Sequence, residues 1–156
     1  MGLAGSGAKL ERVRRLGAAV AVDYTRAGWQ EQVRAELHGR EPTVAFDGVG
    51  GEVGRAALEL LGIGGRLVMY GWTSGKEPTQ VTTADLFAKG LTVTVAVGPK
   101  VFRRPGGIRG LEDRALEAVI SGAVVPLVQE FPLADAAEAH WAIENRHTMG
   151  KVVLIP

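Results

Sequence analysis

The run Gly5-Ser6-Gly7-Ala8-Lys9 combines a hydroxyl, flexible backbone and a cation, and it contains no carboxylate. Such a set suits an anion such as a phosphate monoester, because the hydroxyl can donate to it and the ammonium supplies charge. The same residues have a plainer use, with Ser6 capping a helix and Lys9 solvated in that helix's first turn. Gly48, Gly50 and Gly51 stand together after an apolar run. They would let backbone approach a ligand closely, or supply the torsional freedom that entry into a helix needs. Gly71-Trp72-Thr73-Ser74-Gly75 offers two hydroxyls beside an indole, as a polar surface loop also would. Arg146 follows Glu144-Asn145 near the end of a helical pattern, where an arginine commonly complements the helix dipole. Tyr24 and Tyr70 are acid or base candidates by residue type alone, and no residue is assigned as catalytic.

Several chemistries are set aside by composition. The chain has no cysteine, which removes disulfides, thiol nucleophiles and cysteine-ligated zinc. Its three histidines, His38, His140 and His147, are far apart and show no metal-ligand spacing, so no zinc is expected. The formal charge of +1 arises from 18 basic and 17 acidic residues spread along the chain, which leaves no electrostatic footprint for nucleic acid or a membrane surface. No apolar run approaches the roughly 20 residues of a membrane span, and the N-terminus shows no signal-type stretch. A soluble, cytoplasmic protein is the expectation. With 156 residues, 46% of them hydrophobic, the chain has the material for a real core.

The elements that would position these residues alternate between short β-prone runs and amphipathic helices. Leu3-Ala4 reads as the tail of a strand, and a helix follows over 8–16 with Leu10, Val13 and Leu16 on one face and Gly17 as its stop. Strands are expected over 19–22, 44–46, 66–70 and 91–97, with helices over 29–37 and 52–61 between them. The segment around Arg103-Arg104-Pro105-Gly106-Gly107 reads as a solvated loop. After it come a helix over 110–121, an extended stretch over 124–133, a helix over 134–145 and a last strand over 152–155. Continuous apolar strands joined by crossover helices imply a doubly wound parallel α/β sheet, Rossmann-like, with ligand at the strands' C-terminal ends. The strands beginning at Ala19, Val44, Arg66 and Leu91 are expected to run parallel in one sheet.

The order and spacing of these pieces resemble the zinc-independent, quinone-oxidoreductase-like medium-chain dehydrogenases along nearly the whole chain. The resemblance is carried by Ala4-Gly5-Ser6 with Lys9, Leu16-Gly17-Ala18, Asp23-Tyr24 and Phe46-Asp47-Gly48-Val49-Gly50-Gly51. It continues through Gly64-Gly65-Arg66-Leu67-Val68, Tyr70-Gly71, Lys89-Gly90-Leu91-Thr92, Phe131-Pro132-Leu133, Ala136 to His140, and Gly150 to Leu154. It implies NADP(H) as cofactor, with Ser6, Lys9 and Tyr24 at the 2′-phosphate and Gly48 beside a ribose. It also implies that Gly71, Trp72, Thr73 and Ser74 lie near the nicotinamide and phosphate bridge, and that Arg146 reaches a cofactor phosphate. The implied reaction is NADPH-dependent reduction of a quinone or α,β-unsaturated carbonyl by hydride transfer.

One departure matters. The family's glycine fingerprint stands between its first nucleotide-fold strand and first helix, and this chain has no such turn. The chain is therefore expected to begin inside the nucleotide fold, without that strand, turn and helix and without the catalytic domain. Weak or absent cofactor binding and no independent catalysis follow as expectations. Residues 1–130 would form the partial NADP-binding domain, and residues 131–156 the segment that the family returns to its catalytic domain. The missing strand would separate the strands carrying Leu3 and Ala19 from the rest, and a homodimer is expected to cover the edges so exposed. A non-catalytic dinucleotide-binding or self-associating module with this fold is the alternative.

Overall fold

The computed structural model describes residues 1–96 and 98–156; the end of the expected strand over 91–97, at Val97, lies outside the described residues. The chain divides into two compact units, Met1–Gly98 and Pro99–Pro156. The expected boundary near residue 130 falls within the second of these.

The first unit alternates strand and helix throughout. Its elements are β1 (Gly2–Ala4), α1 (Gly7–Arg15), β2 (Ala21–Asp23), α2 (Trp29–Glu36), β3 (Val44–Asp47), α3 (Gly51–Leu60), β4 (Arg66–Met69), α4 (Thr83–Lys89) and β5 (Thr92–Val95). All pairings are parallel, as crossover helices require: β1 with β2, β3 with β4, and β4 with β5. The strand after Ala19 does not share one sheet with those after Val44, Arg66 and Leu91; the arrangement is instead the expected separation of the strands carrying Leu3 and Ala19 from the rest. The ladder is broken into β1-β2 and β3-β4-β5, so the strand after Ala19 shares no hydrogen bonds with those after Val44, Arg66 and Leu91. The facing edges of β1 and β3 are not bonded to each other.

What joins the two ladders is side-chain packing. Val22 of β2, Trp29 and Val33 of α2, and Ala56 and Leu60 of α3 form one buried cluster, with Leu3, Val20, Tyr24, Leu37 and Val53 against it. A second cluster of Leu58, Leu61 and Leu67 supports β4, with Ala45, Met69, Val81, Leu91 and Val93 around it. Amphipathic spacing produces this division: α3 turns Ala56 and Leu60 toward the first cluster and Leu58 toward the second.

The sequence pattern missed α4, although its signal is present. Thr82 accepts from the backbone of Asp85, and the Asp85 carboxylate accepts from the backbone of Thr82, a complete capping box. Arg55 of α3 grips the same carboxylate at 2.6 and 2.7 Å. These bonds, Arg55's first among them, hold the Asp85 carboxyl well below the usual carboxylate range, and Asp85 with Glu59 raises the Arg55 guanidinium. At the other end of α4, the Lys89 ammonium donates to the carbonyls of Glu59 and Leu61, 2.9 and 2.6 Å away, satisfying the open end of α3.

The second unit contains α5 (Pro99–Phe102), α6 (Arg109–Ile120), β6 (Val128–Pro132), a 3-10 turn (Leu133–Asp135), α7 (Ala136–Glu144) and β7 (Lys151–Ile155). Part of the expected solvated loop is thus helical. β6 and β7 pair in parallel over five residues each. Among the described residues no helix is long and apolar enough to cross a membrane.

Candidate functional site

Two corners of the first unit bring the candidate residues together. The first stands at the C-terminal ends of β1 and β2, where the backbone N–H of Tyr24 donates to Ala4 O and extends their ladder. Ser6 caps α1: its backbone is extended, and its Oγ accepts from Lys9 N at 3.4 Å. Both the helix-cap use of Ser6 and the position of Lys9 in the first turn are therefore realised. Tyr24 lies across the turn between β1 and α1, since a Cβ added at Gly5 would stand 3.4 Å from the Tyr24 hydroxyl. The structure thus gathers Ser6, Lys9 and Tyr24 at one corner.

The nearest carboxylate is already engaged. Asp23 Oδ1 accepts from Thr25 Oγ1 at 2.6 Å and from Thr25 N at 3.0 Å, and Arg26 approaches its other oxygen at 3.6 Å. The Thr25 hydroxyl and backbone bonds, with Arg26, hold this carboxyl below its ordinary value. Asp23 therefore organises the turn carrying Tyr24, a role the sequence pattern did not reveal.

The second corner is the turn from β3 into α3. Gly50 and Gly51 have φ of 72° and 57°, so the chain enters α3 through the left-handed region that glycine tolerates best. Gly48 is needed for space. A Cβ there would lie 2.5 Å from the Tyr70 ring. The amides at this helix entry are occupied from within: Val49 N and Gly50 N donate to Asp47 Oδ1 at 2.9 and 3.0 Å, and Gly51 N donates to Glu77 O at 2.9 Å. A helix N-terminus is ordinarily a ready anion site. Here a buried carboxylate and a carbonyl use these three donors, so the turn offers a ligand close approach rather than a phosphate cradle.

Gly71, Trp72, Thr73 and Ser74 follow β4 and fold over this turn. Thr73 donates to Gly48 O through both its backbone N–H, at 2.9 Å, and its hydroxyl, at 3.0 Å. Ser74 N donates to Val49 O at 3.0 Å, and Ser74 Oγ accepts from Lys76 N at 3.3 Å. The Thr73 hydroxyl proton is directed at the turn, not outward. Tyr70 and Trp72 remain largely exposed, at 61% and 59%.

Both corners border one cavity of about 280 Å³, lined by Met1, Gly2 and Leu3, by Tyr24, by 44–49, and by Tyr70 with side chains of α3. It lies between the unpaired edges of β1 and β3. A second cavity of about 420 Å³ is lined by Met69 to Trp72, Pro78, Thr79 and Val95. Arg146 stands in the second unit, where φ of 58° and a bond from its backbone N–H to Ile143 O close α7. Among the described residues no group of three or more His, Asp or Glu side chains is arranged to hold a metal.

This architecture has counterparts. Residues 16–154 match the zinc-binding dehydrogenase family. A quinone oxidoreductase of Pseudomonas aeruginosa is 29% identical over 158 aligned positions, covering 100% of this chain and 48% of its own length. Among solved structures, Escherichia coli quinone oxidoreductase complexed with NADPH superposes with a TM-score of 0.79 at 25% identity, over 99% of this chain and 48% of that one. A mycobacterial protein complexed with NADPH gives 0.79 at 30% identity, over 99% and 49%. The chain thus spans about half the length of the curated relatives it matches. With most of its residues inside the family match and its fold superposing on those of NADPH-bound neighbours, the chain belongs to the zinc-binding dehydrogenase family, as a homologue of quinone oxidoreductases.

Proposed function

We propose that the chain is the NADP(H)-binding portion of an oxidoreductase that reduces a quinone or an α,β-unsaturated carbonyl. The observation that carries this reading is the corner that gathers Ser6, Lys9 and Tyr24, residues of hydroxyl, cationic and phenolic type, beside an Asp23 tied to Thr25 and Arg26. A ribose 2′-phosphate finds donors there, whereas the free 2′-hydroxyl of NAD(H) finds no carboxylate turned to receive it. The turn at Gly48 would take the cofactor's ribose and the Gly71–Ser74 segment its nicotinamide side; that structural neighbours are complexed with NADPH supports the choice of cofactor. When bound, the cofactor supplies the hydride, and this chain's part is to hold and orient it. Arg146 is kept as a further phosphate contact in the complete enzyme.

Equilibrium titration followed by nicotinamide fluorescence tests the reading. If the chain binds dinucleotide at all, it is expected to bind NADPH at least about tenfold more tightly than NADH, since one charge-assisted contact is worth roughly 1.5–3 kcal/mol. Lys9→Ala should abolish most of that preference. Equal affinities, or a preference that survives Lys9→Ala, would overturn it. On the same reading the chain alone shows no measurable quinone reduction, since it spans about half the length of the relatives it matches.

A second reading, self-association, is favoured by the open edges of β1 and β3. Phe46 on the β3 edge is 72% exposed and Val44 is 45% exposed. Unpaired strand edges with apolar side chains invite a second copy. Sedimentation at micromolar concentration should then show a dimer that Phe46→Lys weakens, and a monomer throughout would exclude it.

A further inference from the structure

The carboxylate of Asp47 has no part in the reading above, yet it is the most buried polar group of the site. It is 5% exposed, and its partner Thr79 is 7% exposed. One oxygen accepts from Val49 N and Gly50 N, which fixes the turn into α3. The other accepts from the Thr79 hydroxyl at 2.5 Å, across 32 residues of chain. Thr79 closes the far end of the segment that begins at Gly71, while the near end is tied by Thr73 and Ser74 to Gly48 and Val49. Gly54 completes the arrangement, because a Cβ there would collide with Thr79 Oγ1 and Asp47 Oδ2.

We propose that Asp47 is a positioning residue: through Thr79 it fixes the Trp72–Lys76 segment over the Gly48–Gly51 turn, so that the cofactor meets a preformed cleft. This rests on the cofactor reading above. The physical reason lies in where the bonds end. The ties at the near end, two backbone N–H bonds and the Thr73 hydroxyl, hold only Thr73 and Ser74. Without Thr79 the far end would keep the bond from Gly51 N to Glu77 O and two long, exposed contacts, Arg55 to Gln80 O at 3.4 Å and Lys76 to Glu52 at 3.9 Å, but no buried side-chain tie, and cofactor binding would have to order the segment. A side chain buried against α3 removes that freedom beforehand.

Two readouts on the full chain test this: hydrogen exchange of the Trp72–Lys76 amides, and NADPH titration above each variant's folding threshold. Thr79→Val, close in shape but without the hydroxyl, is expected to speed exchange in that segment and weaken NADPH binding about tenfold. Thr79→Ser restores the donor and should return both readouts toward the wild type. Exchange unchanged in Thr79→Val would overturn the inference whatever the chain binds. Faster exchange with unaltered NADPH affinity would reduce the pair to a structural contact and overturn it equally. If the wild-type chain binds no NADPH, exchange alone decides whether Asp47 and Thr79 position the segment, and unchanged exchange in Thr79→Val overturns the inference.

Discussion

Gly54→Ala is expected to destabilise the first unit by about 3 kcal/mol, although alanine is ordinarily the better helix former by roughly 1 kcal/mol. Gly54 lies inside α3 and is buried. A methyl group at its position would overlap Thr79 Oγ1 and Asp47 Oδ2, so either the helix withdraws or the buried pair separates. Overpacking costs about 1–3 kcal/mol, and a buried carboxylate oxygen left without its donor costs about as much again. These terms outweigh the gain in helix propensity. Gly7→Ala provides the contrast, because nothing lies within 4 Å of a Cβ in the first turn of α1. Thermal melts should therefore show a fall on the order of 10 °C or more for Gly54→Ala and little change for Gly7→Ala. Equal behaviour of the two would mean that the Asp47–Thr79 pair is not tightly enclosed.

Trp29→Ala should cost about 3–5 kcal/mol, the range for removing a buried aromatic side chain. Its larger consequence is where the loss falls. Trp29 is 6% exposed and packs with Val22, Val33, Ala56 and Leu60, the cluster that joins the β1-β2 ladder to α3 without strand pairing. Hydrogen exchange should show the Ala21–Asp23 amides losing protection while those of Leu67 and Val68 in β4 keep theirs. Uniform loss across both ladders would show that the unit opens as one body and that Trp29 is not the particular link.

Much of this architecture was legible in the order of residues. The strands and helices of the first unit other than α4, which was not expected, follow from β-prone runs separated by amphipathic stretches, and each differs from its expected bounds by a few residues among those described. What escaped was decided by contacts between distant residues. The continuity of a sheet is not a local property: the strands after Ala19 and Val44 look alike, and the separation of β1-β2 from β3-β4-β5 was expected from the family resemblance, not from the local pattern. The helix α4 was announced by Thr82 and Asp85, a cap signal that the weak apolar pattern of Thr83–Lys89 concealed.

The site divides in the same way. The types of Ser6 and Lys9 pointed to an anion, the family resemblance added Tyr24, and their gathering at one corner requires only that β1 and β2 be parallel neighbours in this register. The roles of Asp47 and Thr79 were hidden because 32 residues separate them and neither type is unusual at its position. The directions of the Asp23 oxygens and of the Thr73 hydroxyl depend on turn geometry that sequence spacing does not fix.

The central claim, that the corner of Ser6, Lys9 and Tyr24 recognises a 2′-phosphate, is tested most directly by backbone amide shifts recorded with NADP⁺ and with NAD⁺. The two ligands differ by that phosphate alone. The account predicts that amides of 5–9 and 24–26 shift with NADP⁺ and much less with NAD⁺, while those of Gly48–Gly51 respond to both. Identical shifts at the Ser6, Lys9 and Tyr24 corner for the two ligands would contradict it.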